Sequence, residues 1–393
     1  MAAHDDHHRS TEARGRRDER FVKAAMLVAI ALALGATACS GGSDDDTGSG
    51  STPVLGDPIP VDPTEEWVWV PIEGSMCGDG TEAGIGVNFT SRSRDLVIFF
   101  QGNGVCYDAG TCSLFQHLLT GMGPDPLNQM WWGTPITGQL GIFDRQNVDN
   151  PLADSNFIVF PHCGVDGHTA DKESTYPPLP TFQQRGYGNV RVALPRIVAT
   201  FRDASRIVVA GFSAGGIGSG ANYHQIATAF AAAGKPPPYL IDDAGPVLRP
   251  PYLGPNAHSA LRAGWGLDQT LEPWCPDCAT EGYHVIHQTL ARLHPGLRSS
   301  VVSSYNDGTV TALYGLLNGG AFDGARLDAG LRDLSSWGAS FQAEVAPSEQ
   351  HEFLYPGSRH GAIVVAPLSV TPGLTEFLDA QLNDSPTWAT VQQ

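Results

Sequence analysis

Five short apolar runs recur along the chain, and each stops at a turn built from glycine and polar residues. Residues 95–100 lead into Gln101, Gly102, Asn103 and Gly104, and residues 156–160 into Pro161, His162 and Cys163. Residues 206–210 lead into Gly211, Phe212 and Ser213, 239–241 into Asp242 and Asp243, and 300–305 into Asn306, Asp307 and Gly308. Runs of this length, rich in β-branched and aromatic residues, read as strands buried on both faces. Helical stretches lie around 189–202, 214–233, 285–293 and 374–382. The alternation predicts an α/β fold with a mostly parallel sheet covered by helices. In such sheets the loops at the strand C-termini carry the chemistry, and the polar residues just named sit there. With 41% hydrophobic and 16% charged residues among 393, the chain can bury a large core and is not a disordered acidic protein.

The third of these turns, Gly211 to Gly215, fits G-x-S-x-G around Ser213. The pattern alone is weak in a chain with 46 glycines. Its setting, a strand before and a small-residue helix after, is what a strained nucleophile turn requires. Side chains on the flanking glycines would clash across so sharp a bend. The helix N-terminus and the Ala214 N–H would face a developing oxyanion. The plain alternative is a glycine-rich helix start capped by Ser213.

A serine hydroxyl needs a histidine to take its proton and a carboxylate to orient that histidine. The chain order for such a sheet is serine, acid, histidine. Asp307, in an Asn-Asp-Gly turn after a well-formed strand, is the first candidate acid, and Asp243 is the reserve. His360, in a loop before the C-terminal helical stretch, is favoured over His351 as the base. Gly102, Asn103 and Gly104 follow an early strand, where backbone N–H groups can approach a carbonyl oxygen closely. Asn103, Gly104 and Ala214 are therefore the candidate oxyanion hole. Neither a P-loop lysine nor G-x-G-x-x-G spacing is present, which argues against nucleotide binding.

These segments resemble the pectinacetylesterase family, which includes the Notum-type carboxylesterases. The resembling pieces are Trp67 to Pro71 with Gly74 and Cys77, Leu96 to Cys112, Asn150-Pro151, and Pro161 to His168. Arg185 to Asn189, Gly211 to Gly216 and Asp242 to Pro246 complete the set. The resemblance implies an α/β-hydrolase-like fold and a serine carboxylesterase, with Ser213, Asp307 and His360 as the triad. His168 matches a family histidine near the site; it is a possible substrate contact, with a structural hydrogen bond to the loop as the other reading. His162 stands where the family commonly has tyrosine, and Gln184 where many members have histidine.

Residues 1–23 carry six basic side chains, and an uncharged run from Ala24 to Ala38 ends at Cys39. The pattern is that of a signal peptide of lipoprotein type over 1–38, with Cys39 as the lipidated first residue of the mature chain. Simple cleavage after Ala38 is the alternative. His4, His7 and His8 would be discarded with the leader. A Gly/Ser/Asp-rich linker is expected over 39–64 and a single esterase domain over 65–393. Apart from Cys39 there are six cysteines, an even set that reads as up to three disulfides in an exported protein, with Cys106–Cys112 the one pairing expected. Cys275 and Cys278 form a C-x-x-C pair without a second ligand pair for zinc, so no metal and no cofactor are expected.

A net charge of −18 argues against nucleic acid as a partner. The expected activity is hydrolysis of O-acyl esters, foremost O-acetyl groups on a polysaccharide such as pectin. The expected partners are such a polysaccharide or a small ester, and a membrane reached through the lipid anchor. The alternatives are a lipase-like or thioester-cleaving hydrolase on the same fold, and a non-catalytic glycan-binding surface protein.

Overall fold

The computed structural model describes residues 56–119, 121–122, 125–127, 140–320 and 322–393. The leader, Cys39 and the early histidines lie outside the described residues. A nine-stranded sheet runs in the order β1 (Trp67–Met76), β2 (Glu82–Asn88), β4 (Asn156–Phe160), β3 (Leu96–Phe100), β7 (Ile207–Phe212), β8 (Tyr239–Asp243), β9 (Arg298–Ser304), β10 (Glu349–Tyr355) and β11 (Val391–Gln392). From β4 to β11 every neighbouring pair is parallel, while β1 and β2 pair antiparallel at one edge. A small hairpin of β5 (Lys172–Ser174) and β6 (Phe182–Gln184) stands apart.

The central strands alternate their side chains between two apolar layers. Ile98, Phe100, Ile158, Phe160 and Val209 face the layer built with the helices Gly186–Thr200 and Ala214–Ala232. Val97, Phe99, Phe157, Val159 and Val208 face the other, which includes Phe377 and Leu378 of the helix Leu374–Leu382. Burial on both faces is why these strands read as unbroken apolar runs. The folded body starts ahead of Glu65, inside the stretch read as linker. Ile59 is buried and its N–H donates to Thr200 Oγ1 at 2.8 Å.

Among the described residues three disulfides form: Cys77–Cys163, Cys106–Cys112 and Cys275–Cys278. The first joins the end of β1 to the loop after β4 across 86 residues. Closing so long a loop removes freedom from the unfolded chain worth on the order of 4 kcal/mol. The paired replacement Cys77→Ser, Cys163→Ser is therefore expected to lower the unfolding free energy of the oxidised protein by about that amount. Denaturant titration of both proteins measures it. Among the described residues no helix is long and apolar enough to cross a membrane.

Candidate active site

The strand order places the site. The chain steps outward from β3 to β4 and then returns past β3 to β7, so the C-terminal ends of β3 and β7 flank a switch point. Open α/β sheets bind ligands at such crevices. The loop Gly102–Gly104 leaves β3 there, and Ser213 leaves β7 there.

Ser213 has φ 59° and ψ −122°, a conformation that side chains rarely adopt. The turn closes because its neighbours are small: a Cβ on Gly211 would overlap the Gly215 carbonyl, and one on Gly102 would overlap the Phe212 carbonyl. The Ser213 N–H donates to the Asp243 carbonyl at 2.7 Å, which ties the turn to β8. The helix Ala214–Ala232 starts immediately after, so its unpaired first-turn N–H groups and their partial positive charge sit beside Ser213.

The loop after β3 is held from below by two buried histidines. His162 Nδ1 lies 2.6 Å from the Asn103 carbonyl, and His162 Nε2 accepts the Gly167 N–H at 2.8 Å. His168 Nε2 lies 2.8 Å from the Gln101 carbonyl, and the two imidazoles stack at 4.6 Å. Burial pushes the His168 imidazole down to about 4 and His162 well below the ordinary range, so both are neutral near pH 7. A neutral ring can donate through one nitrogen and accept through the other, as His162 does. Because a trans peptide sets its C=O and N–H in opposite directions, anchoring the Asn103 carbonyl to His162 aims the Gly104 N–H the other way.

Gly104 and Ala214, both candidate oxyanion donors, line the cavity beside Ser213. Asn103 does not line it; its carbonyl is engaged by His162. His168 does not reach the cavity either. It is 2% exposed and spends its Nε2 on the loop, the structural role weighed against substrate contact. The sequence marked His162 only as a departure from the family pattern, and its supporting position was not legible without the fold.

Asp307 and His360 meet: His360 Nδ1 lies 2.9 Å from Asp307 Oδ2 and 3.0 Å from Oδ1. A carboxylate facing Nδ1 requires the proton on that nitrogen, which leaves the Nε2 lone pair free to accept one. Asp307 is fully buried and also caps the helix Gly308–Leu317, accepting the Thr309 and Val310 N–H groups at 2.9 Å. The Asn-Asp-Gly turn read from sequence is thus a helix N-cap. His360 and Ser213 line the same cavity. Among the described residues they form no hydrogen bond, and such bonds are often long until substrate is bound.

Asp243, the reserve acid, serves the His360 loop through its backbone. Its carboxylate accepts the N–H groups of Ala362 and Ile363 at 2.8–3.0 Å. Burial pushes the Asp243 carboxyl up to about 6, opposed by those N–H groups and by His360. His351 lies on β10 beside Trp388, with Nδ1 3.3 Å from Thr390 Oγ1, remote from this arrangement. Among the described residues no His, Cys, Asp and Glu side chains gather as a metal ligand set.

A cavity of about 270 Å³ opens from Ser213 and His360. Val105, Phe115, Ile217, Leu261, Leu267 and Leu313 are among the apolar side chains that line it. Its larger amphipathic residues turn their polar atoms to protein partners. Trp265 Nε1 donates to the Cys106 carbonyl, Tyr283 Oη to Glu272 and Tyr314 Oη to the Pro246 carbonyl. His360 and Ser213 therefore share a largely apolar chamber.

Residues 69–245 match the family model for pectinacetylesterase. The matched stretch holds Ser213 and the loop after β3 and ends before Asp307 and His360. Palmitoleoyl-protein carboxylesterase notum2 of Xenopus laevis is 28% identical over 159 residues, 38% of this chain and 30% of that protein. The chain thus spans under a third of the length of that curated relative. The structure of the Wnt deacylase Notum from Drosophila superposes with a TM-score of 0.57 at 18% identity, covering 83% of this chain and 95% of that one. In its motifs over residues 69–245 and in its fold, the chain resembles the pectinacetylesterases and their Notum relatives, on a single α/β-hydrolase-type domain with a mostly parallel sheet.

Proposed function

We propose that the chain is an exported serine carboxylesterase that cleaves esters of a hydrocarbon acyl group. Ser213 Oγ attacks the ester carbonyl while His360 Nε2 takes its proton. Asp307 holds the imidazole in the required tautomer and balances the positive charge it acquires. The Ala214 and Gly104 N–H groups hold the oxyanion. His360 returns the proton to the leaving alcohol, and a water that it activates in turn hydrolyses the acyl-enzyme. Export is supported by the leader pattern and by three disulfides, which persist in oxidising compartments. Attachment through a lipid on Cys39 belongs to the same proposal.

One observation carries the reading: Ser213 and His360, whose Nδ1 faces the buried Asp307, open onto one largely apolar cavity. That cavity favours a longer acyl chain, the lipase-like alternative, over the O-acetyl polysaccharide expected first. An acetyl group offers a single methyl to a chamber of about 270 Å³. Each further methylene buried contributes about 0.8 kcal/mol, close to fourfold in kcat/KM while the cavity still has room. A series of p-nitrophenyl esters from acetate to palmitate measures this, and kcat/KM is expected to climb well beyond acetate before it levels. Acetate as the best substrate, with acetate released from acetylated pectin or xylan, would return the assignment to polysaccharide deacetylation.

A further inference from the structure

A carboxylate and an imidazole inside the acyl cavity have no part in the proton relay. Asp242 is the penultimate residue of β8, and His287 lies in the first turn of the helix Ile286–Leu293; both line the chamber with Ser213. Asp242 is 3% exposed and His287 13% by side chain. Asp242 Oδ1 accepts the Gly245 N–H at 2.9 Å, while its Oδ2 stands 4.0 Å from His287 Nε2, beyond hydrogen-bond range. His287 Nδ1 is buried without a partner, and the imidazole makes no hydrogen bond among the described residues. The nitrogen that faces Asp242 is Nε2, so a group bound between the two would engage Nε2 and leave Nδ1 as it is; a polar ring without partners in a largely apolar wall calls for an explanation.

We propose that Asp242 and His287 form a polar hook that receives a neutral hydroxyl carried on the acyl chain, making hydroxyacyl esters the preferred substrates of the esterase proposed above. The geometry suits a single oxygen. An oxygen atom about 2.8 Å from each of two groups spans a 4.0 Å gap between them. Hydroxyl is the substituent that can donate to one and accept from the other. Charged substituents fit poorly, because desolvation holds both groups in their uncharged forms near neutral pH. It pushes the Asp242 carboxyl up to about 8 and the His287 imidazole down to about 4. The other large polar side chains of the wall are already committed: Trp265, Tyr283 and Tyr314 each donate to a protein partner.

The helix after Ser213 gives the depth. Gly216 lies against Asp242 Oδ1 and Gly220 against His287 Nε2. At about 1.5 Å of rise per residue these positions lie roughly 5 and 10 Å along the helix from Ser213. The hydroxyl is therefore expected in the middle of the chain, not next to the carbonyl.

The inference rests on the esterase reading and is tested with paired p-nitrophenyl esters of one medium-length acyl chain, unsubstituted and with a hydroxyl at each position. The readout is the ratio of kcat/KM, hydroxylated over unsubstituted. Wild type is expected to favour one mid-chain hydroxyl isomer about tenfold, the size of one neutral hydrogen bond. His287→Leu is expected to bring that ratio to about one, while His287→Gln, which keeps a donor and an acceptor, retains part of the preference. A wild-type ratio of one or less at every position overturns the hook, as does a preference that His287→Leu leaves unchanged. Cleavage of neither ester series removes the esterase reading, and the hook with it.

Discussion

Ser213→Ala is expected to lower kcat for ester hydrolysis by at least about 10⁴-fold, with the unfolding transition nearly unmoved. Removing a single hydroxyl eliminates the proposed attacking atom and nothing else. The backbone that holds Ser213 at φ 59° is fixed by the glycine contacts around it and by its N–H bond to Asp243, neither of which involves Oγ. Whatever rate persists comes from the oxyanion donors and the cavity acting on a water molecule. Steady-state kinetics on the preferred p-nitrophenyl ester, beside denaturant melts of both proteins, separates loss of chemistry from loss of fold.

Asp307→Asn is the second large effect, a fall of about 10⁴-fold in kcat with little change in stability. Asn keeps a side-chain oxygen that can cap the helix Gly308–Leu317 as well as Asp does. It also presents an N–H₂ group where the carboxylate faced His360 Nδ1. The imidazole must then carry its proton on Nε2, and it can no longer accept one from Ser213. The expected pairing is a near-inactive enzyme with a melt within about 1 kcal/mol of wild type. Comparable activity in the Asn variant would assign the orienting acid to another residue, with Asp243 the nearest carboxylate of the His360 loop.

The central parallel strands were legible because burial on both faces leaves an unbroken apolar signature, as in residues 96–100 and 207–212. The edge pair β1 and β2 was not read as strands. β1 mixes exposed and buried positions around Pro71 and Gly74, and β2 carries Gly84 and Gly86, which weaken any strand pattern. The helices Pro255–Trp265, Gly308–Leu317 and Gly324–Val345 also escaped notice; interior glycine does not account for it, since Ala214–Ala232 carries Gly215, Gly216, Gly218 and Gly220 and was read as a helix. In the site, Ser213, Asp307 and His360 could be named from strand-end position and chain order. The division of labour between Asp243 and Asp307 could not. In the sequence both are acidic residues in turns that follow apolar runs, and only the fold brings one to a ring nitrogen and the other to two backbone N–H groups. The pairing of Asp242 with His287 was likewise beyond reach, because 45 positions separate them in the chain and only the cavity makes them neighbours.

A glycan-binding protein with a decayed site is the rival from another class, and it differs from an esterase in one property: the reactivity of Ser213. A fluorophosphonate probe reacts with a serine only where a base and an oxyanion hole activate it. The folded, disulfide-intact protein treated with such a probe and mapped by peptide mass spectrometry is expected to carry a single adduct, on Ser213, that His360→Ala abolishes. An unlabelled Ser213, or an adduct that persists without His360, would contradict the account.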